Sequence, residues 1–240
     1  MHLRSIVFVF AVVALATAAF AQPGAIPAPV NPGVLIDAFQ VNYLPSPVGG
    51  GTPGGYVDIT NAGQLGAPPF GPGTPVQTGD ICVNVYTFAA DEQESECCSC
   101  LVTPNALVHL QASDLVGNPG NGVSPTLGVV VKLLATIPGA STTVPGTNAG
   151  PFTNTVCNAA NAFTTANLAP GMRAWATKFH TNPTTSPAST SLTETAFLPA
   201  NLSAGELTMI TGLCQFLNGN QSGAGICKSC SLGGIGAGKL

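Results

Sequence analysis

Charge is what this 240-residue chain has least of: six Lys and Arg and ten Asp and Glu, 7% of the residues in all. Six scattered basic residues cannot build the positive stripe that nucleic-acid binding needs, so no nucleic-acid partner is expected. The low charge does not signal disorder, because 45% of the residues are hydrophobic and disorder goes with the opposite balance. Aromatics are few, with one Trp and three Tyr. His109 and His180 are the only histidines after His2. No Gly-x-Ser-x-Gly elbow and no His-Glu-x-x-His helix occurs, which removes the two commonest hydrolase signatures. The one apolar run, Ile6 to Ala16, is too short to span a bilayer. No repeat of fixed period is present.

That apolar run is instead the core of an export signal. His2 and Arg4 precede it, and Ala19-Phe20-Ala21 follows as a small-x-small cleavage site. Residues 1–21 are therefore read as a cleaved signal peptide. The expected location is secreted, extracellular or at the cell surface, with the periplasm as the other oxidising compartment. No membrane span is expected after cleavage.

Eight cysteines lie downstream: Cys82, Cys97, Cys98, Cys100, Cys157, Cys214, Cys227 and Cys230. An even count in an exported chain predicts a disulfide framework. A bond between the neighbours Cys97 and Cys98 would close a strained ring, so each needs its own distant partner. Cys82 on a strand and Cys214 on a helix are well-held candidates. The expectation is that the Cys97–Cys100 cluster is tied to Cys82, Cys157 and the C-terminal helix region. The competing reading is a zinc site, because Cys97-x-x-Cys100 and Cys227-x-x-Cys230 reproduce paired zinc-ribbon spacing. The long intervening segment and the export signal favour disulfides. No cofactor and no metal is expected.

With 29 Gly and 21 Pro, the chain divides into short strands between long loops. Residues 22–33 read as an extended Pro-rich leader, residues 34–230 as a single β-rich domain, and residues 231–240 as a flexible tail. Strands are expected at Val34–Leu44, Tyr56–Thr60, Asp80–Phe88, Ala106–Gln111, Val129–Ala135, Met172–Phe179 and Leu192–Leu198. In Asp80–Phe88, Ile81, Val83 and Val85 share one face and Cys82, Tyr86 and Phe88 the other, so the strand is expected between two layers. Loops are expected at Gly49–Gly55, Gly66–Gly79, Pro138–Thr155 and Thr181–Ser191. Ser203 and Glu206 form a capping box ahead of Leu207, Ile210, Cys214 and Leu217, which predicts one late helix, about 204–217, ended by Asn218-Gly219. The fold class is mainly β: a β-sandwich-like domain with long Gly/Pro loops and one C-terminal α-helix, stabilised by disulfides.

Other clusters have bland readings. Asp91, Glu92, Glu94 and Glu96 lack the central glycine of a calcium loop and read as a solvated acidic turn. His109 with Asp114 is the best catalytic pair on offer, although a lone strand histidine is usually structural. Trp175, Tyr43, Tyr56, Tyr86 and Phe70 could stack sugars, but strand aromatics such as Trp175 are more often core. The Gly-rich tail from Gly233 to Lys239 lacks the Ser/Thr and the helix of a phosphate loop. Asn201-Leu202-Ser203 and Asn220-Gln221-Ser222 match the glycosylation pattern.

Six blocks, GDICVNVY (79–86), ECCSCLVTPNAL (96–107), PGMRAWA (170–176), TETAFL (193–198), LSAGEL (202–207) and NQSGAGICKSC (220–230), resemble a set of uncharacterised exported bacterial proteins. The resemblance covers most of the chain from Tyr56 and implies an exported, disulfide-bonded protein. It implies no activity. The function expected is a non-enzymatic structural or surface protein, self-associating as a filament or matrix subunit. The segment after Ala21 would add a strand to a neighbour's sheet. The alternative is a secreted glycan- or ligand-binding module, and a hydrolase is the third reading.

Overall fold

The computed structural model describes residues 37–45, 54–67, 78–116, 128–139, 157–182, 189–219, 225–227 and 230. The expected signal peptide, leader and tail, Val34 to Ile36, Phe70, Asn220-Gln221-Ser222, and most of the expected Gly49, Gly66, Pro138 and Thr181 loops lie outside these residues.

Among the described residues ten strands form two sheets. The larger has the order β10-β4-β3-β6-β1-β9, from β1 (Phe39–Leu44), β3 (Ile81–Phe88), β4 (Glu94–Val102), β6 (Val129–Thr136), β9 (Leu198–Pro199) and β10 (Gly225–Ile226). The smaller has the order β5-β2-β7-β8, from β2 (Gly55–Asn61), β5 (Leu107–Gln111), β7 (Met172–Asn182) and β8 (Ser189–Ala196). All pairings are antiparallel except that of β10 with β4. Two helices complete the described structure, the short α1 (Ala112–Val116) and α2 (Ala204–Gly219). The mainly β, disulfide-stabilised fold with one late helix is thus the fold observed.

The architecture follows from β3, which is buried along its whole length. Its odd face, Ile81, Val83 and Val85, joins Val57, Ile59, Leu110 and Ala176 in the core between the sheets. Its even face carries Tyr86 and Phe88, which pack with Leu207, Ile210, Cys214 and Leu217 of α2. The result is three layers: helix, six-stranded sheet, four-stranded sheet. The outer face of the four-stranded sheet has no further layer among the described residues.

At the start of α2, Ser203 Oγ accepts a hydrogen bond from the Glu206 amide at 3.0 Å. The reciprocal arm of the expected capping box is replaced, because the Glu206 carboxylate pairs with Lys132 at 2.5 Å. The helix runs two residues past Leu217, through Asn218 and Gly219. The Thr181–Ser191 loop is shorter than expected: β7 extends to Asn182 and β8 begins at Ser189, and the added pairs, Thr181 with Thr190 and Asn182 with Ser189, carry no apolar alternation.

Candidate functional site

Four disulfides account for all eight cysteines: Cys82–Cys157, Cys97–Cys214, Cys98–Cys227 and Cys100–Cys230. Strand alternation decides the pattern. Cys98 and Cys100 share the face of β4 that looks into the inter-sheet core, and Cys97 looks toward α2. Cys97 and Cys98 therefore take separate distant partners, as expected. Cys82 does not reach the Cys97–Cys100 cluster: on β3 it lies opposite Leu101, and Cys157 joins it there. Of the zinc set, Cys100, Cys227 and Cys230 lie together, whereas Cys97 does not join them. That residue sits on the wrong face of β4 and is bonded to Cys214.

The acidic run divides. Asp91 and Glu92 are exposed in the β3–β4 turn, whereas Glu94 and Glu96 are buried in β4, so only half of it is a solvated turn. The β3–β4 register shifts between Thr87 and Phe88, and this bulge places the Glu94 carboxyl beside the Cys97 and Cys214 sulfurs. Neither carboxyl oxygen of Glu94 has a hydrogen-bond partner among the described residues. Burial pushes its pKa up to about 9, with Lys132 opposing and Glu206 reinforcing the shift. The Tyr86 phenol is also raised, by burial first and then by Glu94, and it donates to the Ala159 carbonyl at 2.9 Å.

His109 does find a carboxylate, though not Asp114, which lies on α1. The β2–β5 register sets His109 opposite Asp58, and Nδ1 lies 2.8 Å from Asp58 Oδ1. His180 is exposed on β7 opposite Ser191. The Tyr56 ring packs on His109 at 4.3 Å, tilted by 43°, and edge-on to Phe179 at 5.9 Å. Trp175 is half-buried on this outer face, opposite Asp58, rather than in the core. The expected stacking group is thus dispersed. Tyr86 is fully buried under α2, Tyr43 lies on β1, and Tyr56 with Trp175 occupies the open face. Tilted rings make no flat platform.

The least completed part of the fold is a sheet edge. The larger sheet ends in the two-residue strands β9 and β10, and β5 is five residues long. At the other edge of the smaller sheet, β8 is eight residues long and pairs only with β7 among the described residues. Its sequence, STSLTETA, contains no Pro, Lys or Arg. Beside it, β1, β6, β7 and β9 border a groove of about 590 Å³ lined by Tyr43, Val130, Lys178, Thr195 and Leu198. Tyr43 and Leu198 are 47% and 69% exposed, so this groove presents apolar surface to solvent. Sequence reasoning placed a strand here only from Leu192 and gave no sign that it would be an edge.

No protein-family model matches the sequence, and no curated protein matches it. Among solved structures, Thermotoga maritima 1070 is similar at a TM-score of 0.37 and 8% identity, over 70% of this chain and 97% of that one. Among the described residues no helix is long and apolar enough to cross a membrane.

Proposed function

We propose that this chain is an exported, non-enzymatic structural subunit that associates with copies of itself by strand addition at β8. The single observation that carries this reading is an eight-residue edge that no described residue pairs beyond β7, with an apolar groove beside it. An unpaired edge strand is a template for another strand, and proteins that stay monomeric blunt such edges with Lys, Pro, bulges or short length. The larger sheet has very short edge strands, whereas β8 has neither Pro nor Lys and runs eight residues, with Glu194 its one charged side chain. The low charge of the chain weakens the repulsion between copies. The export signal and the four disulfides support a secreted, cell-surface or periplasmic location.

Leu192→Pro tests the reading. The Phe197 amide donates to the Ala174 carbonyl at 2.9 Å, so odd residues of β8 face β7 and the Leu192 amide points outward. Removing that one donor should abolish assembly, seen by analytical ultracentrifugation, and leave the melting temperature within a few degrees. Assembly equal to wild type would overturn the edge as the contact.

A second reading, glycan binding, is favoured by one observation: Tyr56, Trp175 and the His109–Asp58 pair lie together on the uncovered face. Polar groups beside aromatic rings are what sugar recognition uses. Retention of the protein on insoluble polysaccharide, lost in Trp175→Ala, is the expected result under that reading.

A further inference from the structure

We infer that the strand received by β8 is residues Gly24–Asn31 of a second copy, paired antiparallel; the inference rests on the strand-addition reading above. On β8 the parity set by Phe197 leaves Leu192 and Glu194 with their N–H and C=O groups directed away from β7. The outward carbonyl of Ala196 is already taken by Asn42 Nδ2, at 3.3 Å. The receptive stretch is therefore Leu192–Glu194 and its continuation toward Ser189.

The donor is marked by the parity of its prolines. Within Gly24–Asn31 the two prolines, Pro27 and Pro29, fall at odd positions, and Gly24, Ile26, Ala28 and Val30 at even ones; Pro23 and Pro32 flank the segment. In an extended strand alternate residues direct their backbone polar groups to the same side. The even residues thus offer a full row of N–H and C=O groups to one neighbour. The prolines turn their ring nitrogens, which cannot donate, to the opposite side. Such a strand pairs on one side only. It can join β8 and it then closes the sheet against further growth.

Side-chain placement agrees. In an antiparallel pair, Ile26 and Val30 share the face of Leu192, which is 60% exposed. The proline rings fall on the other face, next to the groove lined by Tyr43, Val130 and Leu198. Length and exit point also agree. Residues 22–36 number fifteen, or about 50 Å when extended, against about 27 Å for the eight residues of β8. Asp37, where the segment meets the fold, pairs with Arg173 at 2.5 Å, beside the end of β8 at Ala196. A chain's own leader, ending there, would run parallel to its β8, whereas the whole smaller sheet is antiparallel. A second copy can supply the antiparallel sense. Donor and acceptor are different surfaces, so the contact is head-to-tail and builds an open chain of subunits.

The test compares Ala25→Pro with Ala28→Pro in the otherwise intact secreted chain, followed by ultracentrifugation and electron microscopy. Ala25→Pro extends the odd series and should assemble as wild type does. Ala28→Pro removes a donor aimed at β8 and should raise the concentration for half-assembly at least about tenfold, the equivalent of one lost hydrogen bond. Equal assembly of both, with Leu192→Pro still inactive, would overturn this segment while leaving the edge reading intact. Loss of assembly in both would overturn the parity argument. A wild type that never assembles would remove the strand-addition reading itself. A monomer whose Leu192 and Glu194 amides resist exchange at every dilution would show its own leader in place and overturn the second-copy claim.

Discussion

Cys97 and Cys98 are adjacent in the chain, yet their disulfides leave opposite faces of the same strand, Cys97 to Cys214 on α2 and Cys98 to Cys227 beside β10. One dipeptide thus pins the helix layer to one side of the six-stranded sheet and the C-terminal segment to the other. The pleat makes this possible, since successive side chains of a strand diverge.

The two bonds should be separable. The pair Cys97→Ala and Cys214→Ala should cost roughly 2–4 kcal/mol in chemical denaturation and increase amide exchange in α2 first. The pair Cys98→Ala and Cys227→Ala should spare α2 and loosen the Gly225–Ile226 pairing. Identical exchange patterns in the two variants would contradict this division.

Glu94 should make the protein less stable as pH rises. Its carboxyl keeps its proton in the fold up to about pH 9 but loses it near pH 4.5 when unfolded. Between those values the folded state holds the extra proton, so stability falls with rising pH by at most about 1.4 kcal/mol per unit. Glu94→Gln keeps the neutral shape and should flatten this slope. Urea midpoints of both proteins at pH 5 and pH 8 provide the check, and parallel slopes would count against a protonated Glu94.

Lys132 bridges the same layer interface. Its ammonium lies 2.5 Å from Glu206 and 4.3 Å from the centre of the Phe88 ring. Lys132→Met should destabilise by about 1–2 kcal/mol, because the half-buried Glu206 loses its counter-ion. The double variant Lys132→Met with Glu206→Gln should recover part of that loss, which a double-mutant cycle would measure.

Gly55 opens β2 with φ of +138°, and a Cβ there would lie 1.8 Å from the Thr177 carbonyl oxygen. The Gly55→Ala change should cost more than about 2 kcal/mol by forcing β2 and β7 apart. A melting temperature within a degree of wild type would show that this strand entry can relax.

The sequence made the three-layer architecture legible at one strand. The two-sided burial of Ile81–Phe88 announced a layer on each side, and the stripe from Leu207 to Leu217 identified one of them as helix. The separate fates of Cys97 and Cys98 followed from covalent geometry alone. Contacts set by register were not legible. His109 meets Asp58 across two strands whose sequence separation of 51 residues carries no trace of their alignment. Glu94 reads as solvated because the bulge that turns it inward has no sequence mark. Strand β8 is legible only from Leu192, because Ser189, Thr190 and Ser191 leave no apolar rhythm to read. Cys157 follows a polar stretch without periodicity, and nothing in the spacing ties it to Cys82.

The parallel pairing of β10 with β4 dictates an order of manufacture. The thiols at 98 and 100 wait 129 and 130 residues for their mates at 227 and 230. Until the C-terminal segment is made, those two sulfurs share the chain with Cys82, Cys97, Cys157 and Cys214. Wrong couplings are available throughout that interval. A thiol-exchange catalyst should therefore govern the yield of correctly bonded protein, and a chain cut short before residue 227 should leave Cys98 and Cys100 of β4 reactive.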